Sequence, residues 1–255
     1  IAAHYDLGND FFGLFLSEDL MYSSAMFAHE PESLEEASQR KLECVAAKLE
    51  LRDSDRVLEI GTGWGGFALH AAATRGCHVT TVTISREQHA LACKRVRAAG
   101  LQDRVDVQLC DYRDVRGEFD KVVSIEMIEA IGAAQLETYF STLGRCLRPG
   151  GRALVQAITI EDHRYARALR SVDFIKRHVF PGSFIPSINA MIAAKSRAST
   201  LRLVHLEDFA DSYARTLHEW RSRFHAVLPA VRAQGFEERF IRLWDFYLAY
   251  CEAAF

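Results

Sequence analysis

The stretch Arg56-Val-Leu-Glu-Ile-Gly-Thr-Gly-Trp-Gly-Gly-Phe67 decides the fold. Its apolar run, Val57, Leu58 and Ile60, breaks into the glycines Gly61, Gly63, Gly65 and Gly66. The run then resumes as Phe67-Ala-Leu-His-Ala-Ala-Ala73, a good helix former. Strand, glycine turn and helix form the nucleotide-binding opening of a doubly wound sheet. Such a turn is tight and lets a ligand approach the backbone closely, which requires glycine. The helix amino terminus adds a partial positive field suited to an anionic group. Gly61, Gly63 and Gly66 also satisfy the G-x-G-x-x-G spacing of pyridine-nucleotide enzymes. Two features argue against that reading. Glu59 sits inside the strand, where an acid can hold a cationic or amino-bearing group. The next apolar run, Val79-Thr-Thr-Val-Thr-Ile84, ends on Thr83 and lacks the acid that would grip an adenosine ribose.

Working outward, Ser33 and Glu36 form a capping box, followed by helical spacing of Leu34, Ala37, Leu42, Val45, Ala46 and Leu49. Asp53 and Asp55 mark the turn into the first strand. Ser85 caps the next helix with Gln88 at the box position, and Gly100 ends it. Strands are expected at 104–109, 121–125, 152–158 and 201–206, with Pro149-Gly150-Gly151 turning the chain before the third of these. Helices fill 211–255. Strands alternate with helices, so the fold class is α/β, a doubly wound, mostly parallel sheet with helices on both faces. Residues 1–27 carry Phe11, Phe12, Phe15, Leu16, Tyr22, Met26 and Phe27. That density suits a lid over an apolar cavity or a helix packed on the core. The expected organisation is one catalytic domain: a helical lid segment over 1–50, a cofactor-binding core over 51–160, and an acyl- or membrane-facing insertion with carboxyl-terminal helices over 161–255.

The hydrophobic content of 49% supports a sizeable core, and the net charge of −3 gives no whole-chain pull toward nucleic acid. Six cysteines show no C-x-x-C pair, which argues against zinc and for buried thiols in a reducing cytoplasm. No apolar run approaches the roughly 18 residues of a membrane span. From Glu161 the basic residues Arg164, Arg167, Arg170, Lys176 and Arg177 interleave with Tyr165, Leu169, Val172 and Phe174. Val179-Phe-Pro-Gly-Ser-Phe-Ile-Pro186 follows. A basic amphipathic helix and a proline-bracketed apolar loop suit peripheral contact with an anionic membrane. Ile1 and Phe255 read as cut ends of a longer chain.

The E-x-G-x-G pattern resembles the first motif of S-adenosylmethionine-dependent methyltransferases. More specifically, His4-Tyr5-Asp6-Leu7-Gly8-Asn9-Asp10-Phe11 and Met21-Tyr22-Ser23-Ser24-Ala25 resemble the start of the cyclopropane fatty acid synthase family, which includes the mycolic acid cyclopropane synthases. The resemblance continues through Thr83-Ile-Ser-Arg-Glu-Gln88, Asp111-Tyr-Arg-Asp114, Ser124-Ile-Glu-Met-Ile-Glu129, 180–187, 211–217 and 247–255, nearly the whole chain in order. It implies a class I methyltransferase fold with S-adenosylmethionine as cofactor. It also implies methyl transfer to unsaturated acyl chains of phospholipids on the inner membrane face, with cyclopropane formation as the leading outcome. A homodimer is a further expectation.

The resemblance also assigns roles. Thr83 and Gln88 bind ribose hydroxyls, Tyr112 stacks on adenine beside Arg113, and Tyr22 and Ser23 reach the cofactor together with Glu59, Gly61, Gly63 and Trp64. The alkene attacks the sulfonium methyl, leaving a carbocation that electron-rich faces steady until a base removes a proton. Loss from the new methyl closes a ring, and the other outcomes are a methylene or a shifted alkene. The family holds a bicarbonate there, through positions that map to Glu129, Tyr213, Ile158, Ser24 and Gln156. Ser24 replaces a Cys, Gln156 replaces a His and Ala130 replaces a second His, and Gln cannot carry a proton as His does. Cys251 stands at a cysteine position sometimes assigned as active. A small-molecule O- or N-methyltransferase and a non-catalytic lipid-binding protein are the alternative classes.

Overall fold

The structure is a computed structural model that describes residues 7–255. The His4-Tyr5-Asp6 part of the amino-terminal motif lies outside them. In chain order the helices and strands are α1 (Asn9–Phe12), α2 (Leu34–Leu49), β1 (Arg56–Ile60), α3 (Gly66–Arg75), β2 (His78–Thr83), α4 (Arg86–Ala98), β3 (Val105–Leu109), β4 (Phe119–Ile125), α5 (Leu136–Cys146) and β5 (Leu147–Gln156). Six helices complete the chain: α6 (Asp162–Arg170), α7 (Phe174–His178), α8 (Ile188–Ala198), α9 (Ala210–Ala226), α10 (Leu228–Ala233) and α11 (Glu238–Glu252).

The five strands pair in the order β3-β2-β1-β4-β5, every pairing parallel. The order reverses between β1 and β4, so the crevice outside their carboxyl ends is the natural ligand site. β1 is buried along Val57–Ile60, as expected of a strand covered on both faces. Val57 and Val79 pack with Phe67, Ala71 and the later half of α2, whereas Leu58, Ile60 and Val122 pack with α5. The helix grouped by sequence with the lid therefore belongs in part to the sheet sandwich.

The amino-terminal segment is a packed element. Phe11 is fully buried and meets Phe236 and Trp244 at ring-centroid distances of 4.8 and 5.0 Å. Phe12 meets Tyr22 at 5.1 Å and Trp64 at 5.0 Å. Each such aromatic pair contributes about 0.5–1.5 kcal/mol beyond area burial. These contacts tie residues 11–22 to the glycine turn on one side and to α9–α11 on the other.

Several local expectations hold in detail. The Ser33 hydroxyl accepts from Glu36 N while Ser33 N donates to the Glu36 carboxylate. Ser85 accepts from Gln88 N, but the Gln88 side chain turns to Thr83, so that box is not reciprocal. Other expectations fail. Residues 201–206 form no strand; Leu203, Val204 and Leu206 are 50%, 74% and 54% exposed, and no sheet edge pairs with them. A short apolar run can favour an extended chain, but a strand also needs a hydrogen-bonded neighbour. β5 begins at Leu147 rather than Arg152, with Pro149-Gly150-Gly151 bulging between the pairs Phe119↔Leu147 and Lys121↔Arg152. The basic helix breaks at 171–173, where Asp173 caps α7 by accepting from Lys176 N at 2.9 Å.

At the start of α3, Gly66 makes the closest approach to the amino-terminal segment. A Cβ there would lie 2.5 Å from Met21 Sδ and 2.9 Å from Asp19 O. Gly66→Ala should therefore displace residues 19–21 and destabilise the fold by about 1–3 kcal/mol, read as a lower urea midpoint at unchanged m-value. An unchanged midpoint would show that this packing is slack.

Candidate active site

The carboxyl ends of the parallel strands carry many of the polar residues singled out by the sequence. Gly61 and Gly63 follow β1, and Thr83 ends β2. Tyr112 and Arg113 follow β3, Glu126 and Glu129 follow β4, and Gln156 ends β5 with Ile158 just beyond.

On the β1 side, Gly63 has φ +51° and an added Cβ would meet nothing within 4 Å, so its face opens on free space. Glu59 is buried and accepts from the Thr81 hydroxyl at 2.6 Å. Burial pushes its carboxyl up to about 8, against the pull of that hydrogen bond and of Lys41. A cationic group arriving beside it would restore the charged form. The Thr83 hydroxyl donates to the Gln88 side chain at 3.0 Å, fixing a hydroxyl–amide pair after β2. Tyr112 has a buried hydroxyl without a partner, the kind of group that a ligand or water satisfies. Arg113 forms a bidentate pair with Asp111, at 2.9 and 2.7 Å, and its guanidinium lies 6.0 Å from the Tyr112 ring. Ile84, which the sequence reading did not single out, is 70% exposed on the same rim and offers an apolar face. Open backbone, buried acid, hydroxyl–amide pair and aromatic together fit a nucleoside sulfonium with an amino-acid tail.

Three of the expected cofactor residues also make contacts within the protein. The Trp64 indole donates to Asn9 at 2.6 Å and stacks into the Phe12 cluster, so its side chain anchors the amino-terminal segment. The Tyr22 hydroxyl lies 2.8 Å from that of Tyr247, joining the segment to α11. Ser23 is buried and accepts from Lys41 Nζ at 2.7 Å. A surface cleft of about 730 Å³, lined by residues including Leu14, Leu20, Leu91 and Gln234, lies beside the amino-terminal segment and includes none of the rim residues.

The anion site differs from expectation. Ser24, Gln156 and Tyr213 do converge, but on a side chain of the protein. Glu126 Oε1 accepts from Ser24 N at 2.9 Å and from Gln156 Nε2 at 2.7 Å. Glu126 Oε2 accepts from the Tyr213 hydroxyl at 2.6 Å. Ser24 contributes its backbone, because its hydroxyl donates to Ala25 O. Glu126 has φ 47°, an unusual backbone for a non-glycine residue, which costs of order 1–3 kcal/mol and clusters at functional sites. Burial raises the Glu126 carboxyl above its usual range, while the three donors and Lys41 pull it back. Tyr213 is held neutral, as a donor, by burial and by Glu126. Glu129 stands apart with Ile158, whose N–H donates to its Oε1 at 2.6 Å. Its Oε2 is buried without a partner, and burial with Glu126 nearby pushes it up to about 8.

A bicarbonate does not fit this arrangement. The donors that would hold it are taken up by a carboxylate, and a second anion there would face Glu126. Gln156, at the position of a proton carrier, donates one hydrogen bond to Glu126. Burial pushes the Cys251 thiol up to about 12, away from the thiolate form. Among the described residues no His, Cys, Asp and Glu cluster could hold a metal ion.

The chain matches the family model described as mycolic acid cyclopropane synthetase over residues 1–255. It is 44% identical to the tuberculostearic acid methyltransferase UfaA1 of Mycobacterium tuberculosis, over all of this chain and 61% of that protein. It is 37% identical to the cyclopropane-fatty-acyl-phospholipid synthase of Escherichia coli K12, over 99% of this chain and 63% of that protein. The chain thus spans somewhat over three fifths of these relatives. Among solved structures, the mycolic acid cyclopropane synthase CmaA1 complexed with SAH and CTAB superposes with a TM-score of 0.91 at 27% identity, covering 99% of this chain and 91% of that one. Parallel strand order, glycine turn and whole-length match agree: the chain belongs to the mycolic acid cyclopropane synthetase family and has the fold of class I S-adenosylmethionine-dependent methyltransferases.

Proposed function

We propose that the chain methylates the double bond of an unsaturated fatty acyl chain carried by a phospholipid, using S-adenosylmethionine, with Glu126 as the base. The observation that carries this reading is the Glu126 carboxylate held by Ser24 N, Gln156 Nε2 and the Tyr213 hydroxyl. The cofactor supplies an electrophilic methyl. The alkene π pair forms the new carbon–carbon bond as the sulfur–carbon bond breaks, leaving a cation on the neighbouring carbon. The Tyr22 and Tyr247 hydroxyls lie 2.8 Å apart, and aromatic faces of this kind can steady positive charge. Glu126 then takes a proton, and the C–H electron pair quenches the cation. A carboxylate with a raised pKa is the stronger base, and it is already aimed by its three donors.

Two products obey this scheme. Loss of a proton from the new methyl gives a ring. A 1,2-hydride shift before that loss gives a methylene. We infer the methylene outcome, because the 44% relative is named a methyltransferase. Ring closure is the second reading, supported by the name of the 37% relative. Both add the same mass, so mild hydrogenation of the recovered lipids separates them: a methylene takes up hydrogen and a cyclopropane does not.

Membrane contact is part of the proposal. Arg164, Arg167, Arg170 and Arg177 are exposed on α6 and α7. Leu169, Val172, Phe246 and Tyr250 beside them are 43%, 74%, 52% and 40% exposed. Lys176 instead donates to the Ala168 and Ser171 carbonyls, so it braces the break between the helices. The loop 179–186 turns inward, with Phe184 buried and its N–H bonded to Glu129 O. Among the described residues no helix is long and apolar enough to cross a membrane.

Three outcomes follow. Gly63→Val should abolish cofactor binding by calorimetry, since its φ of +51° strains a β-branched residue and the side chain would fill the open face; retained binding would move the cofactor elsewhere. Glu126→Gln should lower turnover by roughly 10²–10⁴-fold with cofactor affinity kept. In the unsubstituted chain, turnover should rise with pH through a limb above the ordinary carboxylate range, because Glu126 must be ionised to act and burial raises its pKa. Normal turnover in Glu126→Gln would remove it as the base. Turnover on vesicles should rise with anionic lipid and fall with added salt, whose screening length is about 10 Å at 0.1 M; indifference to both would exclude the basic face.

A further inference from the structure

Arg95 is half-buried on α4. Among the described residues no carboxylate forms an ion pair with its guanidinium, which bonds main-chain carbonyls instead. Nη1 donates to Trp64 O at 2.7 Å and to Asp19 O at 2.9 Å, and Nη2 donates to Glu18 O at 3.3 Å. A guanidinium that meets only backbone fixes, through its planar fork, where two pieces of chain stand relative to each other.

Those two pieces are alike. Gly65 N donates to Thr62 O at 2.9 Å and Leu20 N to Ser17 O at 2.8 Å, so each piece closes a four-residue turn. In both turns the third residue's carbonyl accepts from Arg95 while the fourth residue's N–H donates back to the first. A planar peptide unit held at both edges is fixed in orientation. The fourth residue has a positive φ in each turn, 86° at Gly65 and 58° at Leu20. For leucine that backbone costs of order 1–3 kcal/mol, so the surroundings impose it. The first turn carries the glycines assigned to the cofactor. The second runs into Ser24, whose N–H donates to Glu126 at 2.9 Å. Every residue from Ser17 to Ser24 makes a hydrogen bond, so a shift at Arg95 reaches the Ser24 donor.

We propose that Arg95 is a positioning residue that staples the glycine turn to the turn at 17–20 and so holds the cofactor turn and the Ser24 donor of Glu126 in one register. This rests on the reading of Glu126 as the base. A misplacement of about 1 Å at a reacting centre can cost roughly 10²-fold in rate, so a staple away from the chemistry matters to it.

The test compares Arg95→Lys, Arg95→Met and Glu126→Gln with the unsubstituted chain. Calorimetry reads S-adenosylmethionine affinity, and turnover on dioleoylphosphatidylglycerol vesicles is read against pH. Hydrogen exchange of the 17–25 amides reads the second turn independently of catalysis. Arg95→Lys keeps the charge but lacks the planar fork that spans both turns. It should weaken cofactor binding roughly tenfold, as for a lost hydrogen bond to a charged group, and speed exchange at 17–25. It should also move the acidic limb of turnover up by about one unit, because a carboxylate that loses a donor is harder to ionise. The other ionisable groups that face Glu126, namely Lys41, Glu129 and Tyr213, are unchanged in these variants, so that movement reports Ser24. Arg95→Met should show the same effects more strongly. A folded Arg95→Met with unchanged affinity, exchange and limb overturns the proposal. So does a loss of affinity with exchange and limb unchanged, since Arg95 would then serve the glycine turn alone. If Arg95→Met does not fold, Arg95→Lys decides by the same criteria. Full turnover in Glu126→Gln sinks the base reading instead, and affinity with exchange then judges the Arg95 staple alone.

Discussion

One carboxylate joins the parts of this molecule. Glu126 leaves the end of β4 at the point where the strand order reverses, and it accepts hydrogen bonds from three separate elements. Ser24 belongs to the amino-terminal segment, Gln156 to β5 and Tyr213 to α9. Removing a donor would leave part of a buried charge unsatisfied, which costs more than the hydrogen bond itself contributes. The same contacts that orient Glu126 therefore hold the amino-terminal segment and the carboxyl-terminal helices against the sheet. The strained backbone at Glu126 persists because these partners determine it from several sides.

Around that point the structure separates two environments. On the β1 side the groups are polar and partly open: the Gly63 face, the Thr83–Gln88 pair and the unpartnered Tyr112 hydroxyl. On the other side are aromatic rings, with Tyr213 stacked on Phe255 at 4.3 Å and Phe180 6.1 Å from Tyr247. A sulfonium cofactor suits the first and a hydrocarbon chain the second. Glu126 lies between them, where a methyl passing from one to the other would leave a cation needing a base. Low polarity on the aromatic side would also favour neutral products over the ions that precede them.

The sheet was legible in the sequence because apolar runs and glycine turns are local signals. The run 57–60, the glycines after it and the Ser33–Glu36 box each depend on a few adjacent residues, and each appears as read. The site was legible as a set but not as a geometry. Ser24, Gln156 and Tyr213 were assigned to one anion, and they do meet at one. That the anion is Glu126 rather than a bound ion depends on a positive φ at the end of β4, which spacing does not reveal. Lys41 was hidden for a related reason: a lysine in a helical pattern reads as solvated, and only packing buries it. Residues 201–206 mislead in the opposite direction, since the run is largely apolar but the neighbouring edge is missing.

The most direct test of the central claim replaces the internal carboxylate by space. Glu126→Gly suits the positive φ and leaves Ser24 N, Gln156 Nε2 and the Tyr213 hydroxyl without their acceptor. Turnover is measured in bicarbonate-free buffer and again with added bicarbonate, for this variant and for the unsubstituted chain. The account predicts that the unsubstituted chain is indifferent to bicarbonate and that Glu126→Gly is inactive until bicarbonate restores part of its turnover. Stimulation of the unsubstituted chain by bicarbonate, or full activity of Glu126→Gly without it, would contradict the assignment of Glu126 as the base.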